Sequence, residues 1–401
     1  MYFSSSLKPY LLVFTLLFLP LLATAQDSLR TIRRPGNFVI LPATAYTPET
    51  GFTVGAITDY FFDLAHGNEA TRMSKLSLVG VYTTKQQFFT SISWKLFTPQ
   101  ERFIIDGELK FSNFTDRHYG TGNEISEKIY TLEEEKDQLD SLNFLPYKYT
   151  FYFANLAVNM RLKKRWYFGL QMEYESALDF EVLGDSIAYQ STEIIPSESV
   201  GKRAGLGWKL SYDSRKNINN PLRGTFVQLD NWYFRKGFGG DQNYQQWSVD
   251  ARHYFHTYKN QTFALRLLLQ HGSGEVPYRG LYKVGGKDFI RGVFEGSYRD
   301  RQLLGFQTEY RLPLWGNLDA AFWKFWHRLG VVFFCSGATV AEEFEDLDLG
   351  AIRMVAGGGI RVLFNKKQRV NLRVDYGVAL NKTGSLAQRQ TGLYFFLSEA
   401  F

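Results

Sequence analysis

Apolar residues recur at every second position in one segment of this chain after another. After residue 25 they never gather into a run able to cross a bilayer as a helix. Within Arg369 to Leu380, the side chains Val370, Leu372, Val374, Tyr376, Val378 and Leu380 share one face, while Asn371, Arg373, Asp375 and Gly377 share the other. Arg165 to Leu178 sets Trp166, Phe168, Leu170, Met172 and Tyr174 against Gln171, Glu173 and Glu175. Lys202 to Asp213 sets Leu206, Trp208, Leu210 and Tyr212 against Lys209, Ser211 and Asp213. A period of two is that of a strand. A slip of one residue would press charges into the oily layer, at about 2–4 kcal/mol for each Lys or Arg near a bilayer midplane, so the register is fixed. A soluble sheet would need helices over its oily face, and no helical pattern is present to supply them. Lipid is the remaining neighbour, which predicts an all-β fold, a transmembrane β-barrel.

Composition and the N-terminus agree. Aromatics reach 17 %, with 35 Phe and 24 Tyr, yet mean hydropathy is slightly negative, as when only alternate residues meet lipid. Lys8, the apolar run Leu11 to Leu22 and the small residues Ala23-Thr24-Ala25 predict a signal peptide over residues 1–25. A short periplasmic segment, 26–36, and one barrel domain, 37–401, would follow. The formal charge of +6 falls to +5 when Lys8 leaves, without the basic patch that nucleic acid requires. Cys335 is the only cysteine, so no internal disulfide framework exists.

Sixteen strands are predicted: Phe38 to Tyr46, Gly51 to Phe62, Met73 to Tyr82, Phe88 to Phe97, Arg102 to Phe114, Tyr147 to Leu162, Arg165 to Leu178, Lys202 to Asp213, Thr225 to Arg235, Tyr244 to His256, Gln261 to His271, Arg301 to Leu314, His327 to Ala338, Ile352 to Phe364, Arg369 to Leu380 and Thr391 to Phe401. Bacterial barrels join strands by short periplasmic turns and longer outer loops. The long connections Thr115 to Pro146, Asp179 to Gly201, Gly272 to Asp300 and Val340 to Ala351 are odd-numbered, and the tight ones Lys163-Lys164 and Asn365 to Gln368 are even-numbered, apart from two compact odd turns near residues 48 and 84 and a longer even one at Trp315 to Trp326. Loop length thus supports the topology independently of hydrophobicity. The acidic runs Leu132 to Asp140 and Glu342 to Asp348 lack calcium-loop spacing and read as solvated outer-loop surface.

Few residues carry chemistry. His253 and His256 lie three apart, on opposite faces of a strand, so they share no metal. Ser211 and Ser91 face inward, but no His stands beside them as a hydrolase would need. Neither metal, cofactor nor catalytic residue is predicted. The glycine runs lack the following helix of a phosphate cradle. Inward Gly357 and Gly359 leave room for a loop to approach the wall or, equally, for the strand to curve. In the long loop, Arg291 is either solvated or the partner of the inward carboxylates Glu309 and Asp375, which need one in a narrow interior.

Ile290-Arg291-Gly292-Val293 resembles the Arg-Gly-aromatic tip of the sixth outer loop in the BamA/TamA outer-membrane assembly superfamily, with Val293 in place of the aromatic. Tyr212-Asp213-Ser214-Arg215 with Pro221 to Gly224 is similar to that family's periplasmic turn, Thr308 to Pro313 to its twelfth strand and Leu372 to Gly377 to its fifteenth. Phe401 resembles the aromatic signal by which such barrels are inserted. Where the family's thirteenth strand carries an inward Asp, this chain has Cys335-Ser336-Gly337.

The resemblance implies a 16-stranded antiparallel barrel with the sixth extracellular loop folded into the lumen, Arg291 contacting Glu309, and a weak seam between first and last strands. It implies a barrel-only member, without POTRA repeats, that aids insertion or transport of proteins or lipids at the bacterial outer membrane. Its partners would be outer-membrane lipid, client proteins or lipids and a separate periplasmic partner. A passive pore and an outer-membrane hydrolase are the alternatives.

Overall fold

The structure, a computed structural model, describes residues 36–47, 51–65, 71–84, 86–123, 145–182, 200–314, 328–366, 369–381, 390–397 and 399–401. The predicted signal peptide and the acidic run Leu132 to Asp140 lie outside the described residues. The strands are β1 (Asn37–Thr47), β2 (Gly51–Phe62), β3 (Ser74–Thr83), β4 (Phe88–Phe97), β5 (Phe103–His118), β6 (Leu145–Lys163), β7 (Trp166–Val182), β8 (Gly201–Asp213), β9 (Gly224–Phe234), β10 (Tyr244–His256), β11 (Thr262–Gly274), β12 (Tyr282–Val284), β13 (Tyr298–Asp300), β14 (Gln302–Pro313), β15 (Leu329–Ala341), β16 (Arg353–Asn365), β17 (Val370–Ala379) and β18 (Thr391–Leu397). One antiparallel sheet runs in chain order from β1 to β11 and on through β14 to β18, sixteen strands among the described residues. The short β12 and β13 pair only with each other, inside the long β11–β14 connection.

Several strands outrun their predicted ends. β5 continues to His118, β7 to Val182, β11 to Gly274 and β15 to Ala341. All four extensions lie on the side of the long loops, where alternation fades although the backbone ladder continues. The last strand differs in the opposite sense. Predicted to run to Phe401, it stops at Leu397, and residues 399–401 leave the sheet.

The two faces invert the arrangement of a soluble protein. Leu170, Phe168, Met172, Leu206, Tyr376 and Leu393 are exposed, whereas the largest fully buried side chains include Arg291, Arg299 and Arg373. Charge is sheltered and oil is outside, which is stable only if hydrocarbon replaces water around the sheet. Among the described residues no helix is long and apolar enough to cross a membrane. Leu170, 66 % exposed on β7, is the sharpest test. Leu170→Arg should cost up to about 2–4 kcal/mol in urea unfolding from liposomes, and Gln171→Arg, on the sheltered face, markedly less.

The charged face is concave. From the single connection between β11 and β14, the Tyr278 ring packs at a tilt on His118 of β5, centroids 4.6 Å apart, Arg279 pairs with Glu175 of β7 at 3.0 Å, the Tyr282 hydroxyl donates to the Trp247 carbonyl of β10 at 3.1 Å, and Asp288 receives Arg373 of β17 at 2.7 Å. One segment touches strands so far apart in the order only if the sheet wraps around it. At the other end, Arg72, just before β3, reaches Asp213 at the end of β8 at 2.6 Å. The β8–β9 turn also lays Ile218 against Phe97, Ile104 and Tyr167.

Candidate functional site

β14, β15, β16 and β17 are consecutive neighbours in the sheet. On the concave face, spacing by two brings Glu309 with Arg311 on β14 and Arg373 with Asp375 on β17 to the same side. Strands lie about 4.8 Å apart, so Glu309 and Asp375, three strands from each other, need a bridge. Arg291 supplies it. One terminal nitrogen binds Asp375 at 2.5 Å and the other binds Glu309. The side chain is 0 % exposed, and its guanidinium lies 3.9 Å from the centroid of the Phe334 ring on β15.

Backbone conformation delivers that side chain. Ile290 before it and Gly292 after it both have positive φ, at 51° and 126°. A Cβ at Gly292 would meet Gly377 and Val378 backbone at 2.7 and 2.9 Å, so only glycine suits the position. Ile290 and Val293 are buried in the apolar cluster with Phe289, Leu303, Val332 and Phe334, which fixes the tip on both sides of Arg291. Polar contacts complete the seat. The Gly292 amide donates to the Tyr394 hydroxyl at 3.3 Å, that hydroxyl donates to the Val293 carbonyl at 3.3 Å, and the Phe294 amide donates to Gln390 at 3.0 Å. The tip is therefore tied to β18 as well as to β14 and β17.

Further charges extend the bridge into a closed loop. Glu309 also pairs with Arg311 at 2.7 Å, Arg311 lies 3.9 Å from Glu399, Glu399 pairs with Arg361 of β16 at 2.8 Å, and Arg361 returns to Asp375. Three guanidiniums and three carboxylates alternate around this ring, so it carries no net charge. Buried ions are tolerable on that condition, since each finds two opposite partners in place of water.

Two of the glycines singled out in the sequence make room for the site. At Gly357 a Cβ would strike the Phe334 ring, and at Gly359 it would strike the Asp375 carboxylate. Gly377 is tighter still, because its open Cα face lies against the main chain of Arg291. Spacing by two from Asp375 placed Gly377 on this face, but nothing in the sequence marked it as the point of closest approach.

Cys335 does not stand in for a missing inward acid. Phe334 and Ser336 are buried on the concave side, while the Cys335 side chain alternates to the other face of β15. The position facing Arg291 is Phe334, which offers the face of a ring instead of a carboxylate. Val293 is buried and Phe294 is exposed, with the Arg117 guanidinium 5.4 Å from its ring centroid. Phe401 is buried against Tyr254 on the concave side, not on a strand edge. Sequence reading missed Arg311, Arg361 and Glu399, though Glu309-x-Arg311 carried a legible signal in its spacing.

Oil without and buried ion pairs within define a protein that spans a membrane by strands. The Omp85 superfamily domain matches residues 74–401, and the chain belongs to that family. It is a protein of the bacterial outer membrane. Among solved structures, BamA from Haemophilus ducreyi lacking POTRA domains 1–3 is similar, with TM-score 0.53 and 15 % identity over 90 % of this chain and 70 % of that one. CdiB from Escherichia coli gives 0.57 and 10 % over 93 % of this chain, and CdiB from Acinetobacter baumannii 0.53 and 13 % over 92 %. This chain spans 63 % and 60 % of those two proteins. None of the curated proteins matches it.

Proposed function

We propose that the sheet closes edge to edge into a sixteen-stranded barrel, with loop six held in the lumen, and that the closing seam between β1 and β18 opens sideways to aid insertion or transport of proteins or lipids. The observation that carries this reading is that the two end strands of the sheet each have one partner among the described residues. β18 contributes seven residues and pairs with β17 alone, while β1 pairs only with β2 among the described residues. An edge strand offers unpaired amides and carbonyls that an arriving strand can join. The loop tip bonds to Tyr394 and Gln390 beside that edge. Arg291 is then the anchor, Glu309 and Asp375 its acceptors, and Gly357 and Gly359 the space it needs. Phe401 serves as the insertion signal in the unfolded chain, before the inward turn buries it. No bond chemistry is required, so no catalytic residue, metal or cofactor is assigned. The partners are outer-membrane lipid, client proteins or lipids, and a separate periplasmic protein that delivers them.

A photo-crosslinking residue at Phe38 on β1 or Leu393 on β18, both lipid-facing, tests this in liposomes with an unfolded outer-membrane barrel polypeptide as client. Capture at both edge positions but not at Leu170 of β7, together with faster client folding, is the expected result. Equal labelling at all three positions with a steady, large conductance would make the protein a passive pore.

A further inference from the structure

Beyond β18 the chain turns onto the concave face, where Ala400 and Phe401 are buried and the Glu399 side chain is sheltered. The Glu399 carboxylate pairs with Arg361 at 2.8 Å and accepts from Asn371 at 2.7 Å, with Arg311 at 3.9 Å. The Glu399 amide donates to the Asn219 carbonyl of the β8–β9 turn at 3.2 Å. Two residues on, the Phe401 ring packs with Tyr254 and Ala264, and its main-chain oxygen accepts from Arg311 at 3.0 Å. The Arg311 guanidinium also lies 5.4 Å from the centroid of that ring. An acid and an aromatic, one small buried residue apart, are held by ionic, hydrogen-bonding and ring contacts, arranged as for a bound peptide.

We infer that Arg311, Arg361, Asn371 and Tyr254 form a binding site for a peptide segment of the pattern acidic–small–aromatic, filled here by Glu399–Phe401 of the same chain. Occupancy of this seat holds loop six. Arg311 and Arg361 each divide their charge between Glu399 and the acid that binds Arg291. With Glu399 in place the ring is neutral. Without it, the three guanidiniums of the ring compete for Glu309 and Asp375, with Arg373 also 3.6 Å from Asp375, and the excess positive charge repels Arg291. Vacating the seat therefore loosens the loop from across the ring, with no direct contact between the two. The seat is a property of the inner face and does not depend on whether the β1–β18 seam opens.

The test uses a variant lacking residues 399–401, in detergent micelles, and a fluorescent peptide of sequence Leu397 to Phe401. Saturable binding is expected. It should weaken about tenfold or more when the peptide carries Glu399→Gln or the barrel carries Arg361→Ala, as for loss of a charge-assisted hydrogen bond. Equal affinity for both peptides, or no binding by the folded truncated barrel, would overturn the assignment. A second variant, full-length Glu399→Gln, keeps the seat filled in shape. In it, trypsin should cut after Arg291 at a markedly higher rate than in the wild type. A cutting rate unchanged from wild type would overturn the coupling. Neither readout involves transport, so failure here leaves the proposed function standing, and the converse also holds.

Discussion

Arg291→Ala should release the β11–β14 connection from the concave face and raise single-channel conductance in planar bilayers from small and flickering to large and sustained. Breaking a buried ion pair by removing one partner costs about 3–5 kcal/mol when the other charge is left alone. Here the cost should sit at the low end of that range, because Glu309 keeps Arg311 and Asp375 keeps Arg361. The wall thus stays paired while the loop loses its anchor, and the effect should appear in loop position and conductance more than in the unfolding midpoint. Arg291→Lys should recover little. A single ammonium cannot hold two carboxylates on strands three apart, which the two ends of the guanidinium now do. Unchanged conductance in Arg291→Ala would separate the buried bridge from any gating role.

Gly377→Ala is expected to produce the same phenotype without altering a single charge. Its new methyl group would fall on the main chain of Arg291 and Gly292, a neighbour that cannot swing away as a flexible side chain can. Overpacking of this kind costs about 1–3 kcal/mol, set against a loop tip held by one bridge, a few hydrogen bonds and the apolar seat of Ile290 and Val293. Gly80→Ala on β3 provides the control, since a Cβ there meets nothing within 4 Å. Limited trypsin digestion followed by mass spectrometry reads both variants. Cleavage after Arg291 should appear in Gly377→Ala and not in Gly80→Ala. Equal protection of the two would mean that the wall, not the loop, absorbs the methyl group.

Strand positions were legible because lipid enforces alternation, and residues such as Leu170 and Glu175 state their faces unaided. Strand ends were less so. Past the hydrocarbon layer nothing demands an oily face, so the extensions to His118 and Gly274 carry no pattern although their ladders continue. The most instructive difference lies after Leu397. Phe401 continues an aromatic run and reads as strand, yet its place is decided by Arg311 and Tyr254, which come from distant parts of the sequence. Glu309 and Asp375 stood out as inward carboxylates within their own strands. Arg361 and Glu399 matter only as a pair, and a pair formed across 38 positions of sequence leaves no local trace.

The ring also constrains the order of assembly. Its members span positions 291 to 399, while the eleven strands β1–β11 that precede them contribute none. Those earlier strands can zip to one another through contacts between sequence neighbours, which form fast, whereas the ring needs long-range closure. Its last component in sequence order is Glu399, which lies beyond β18. The lock on the interior is accordingly made after the wall that carries it, and a nascent sheet remains unlatched until Glu399 has been delivered.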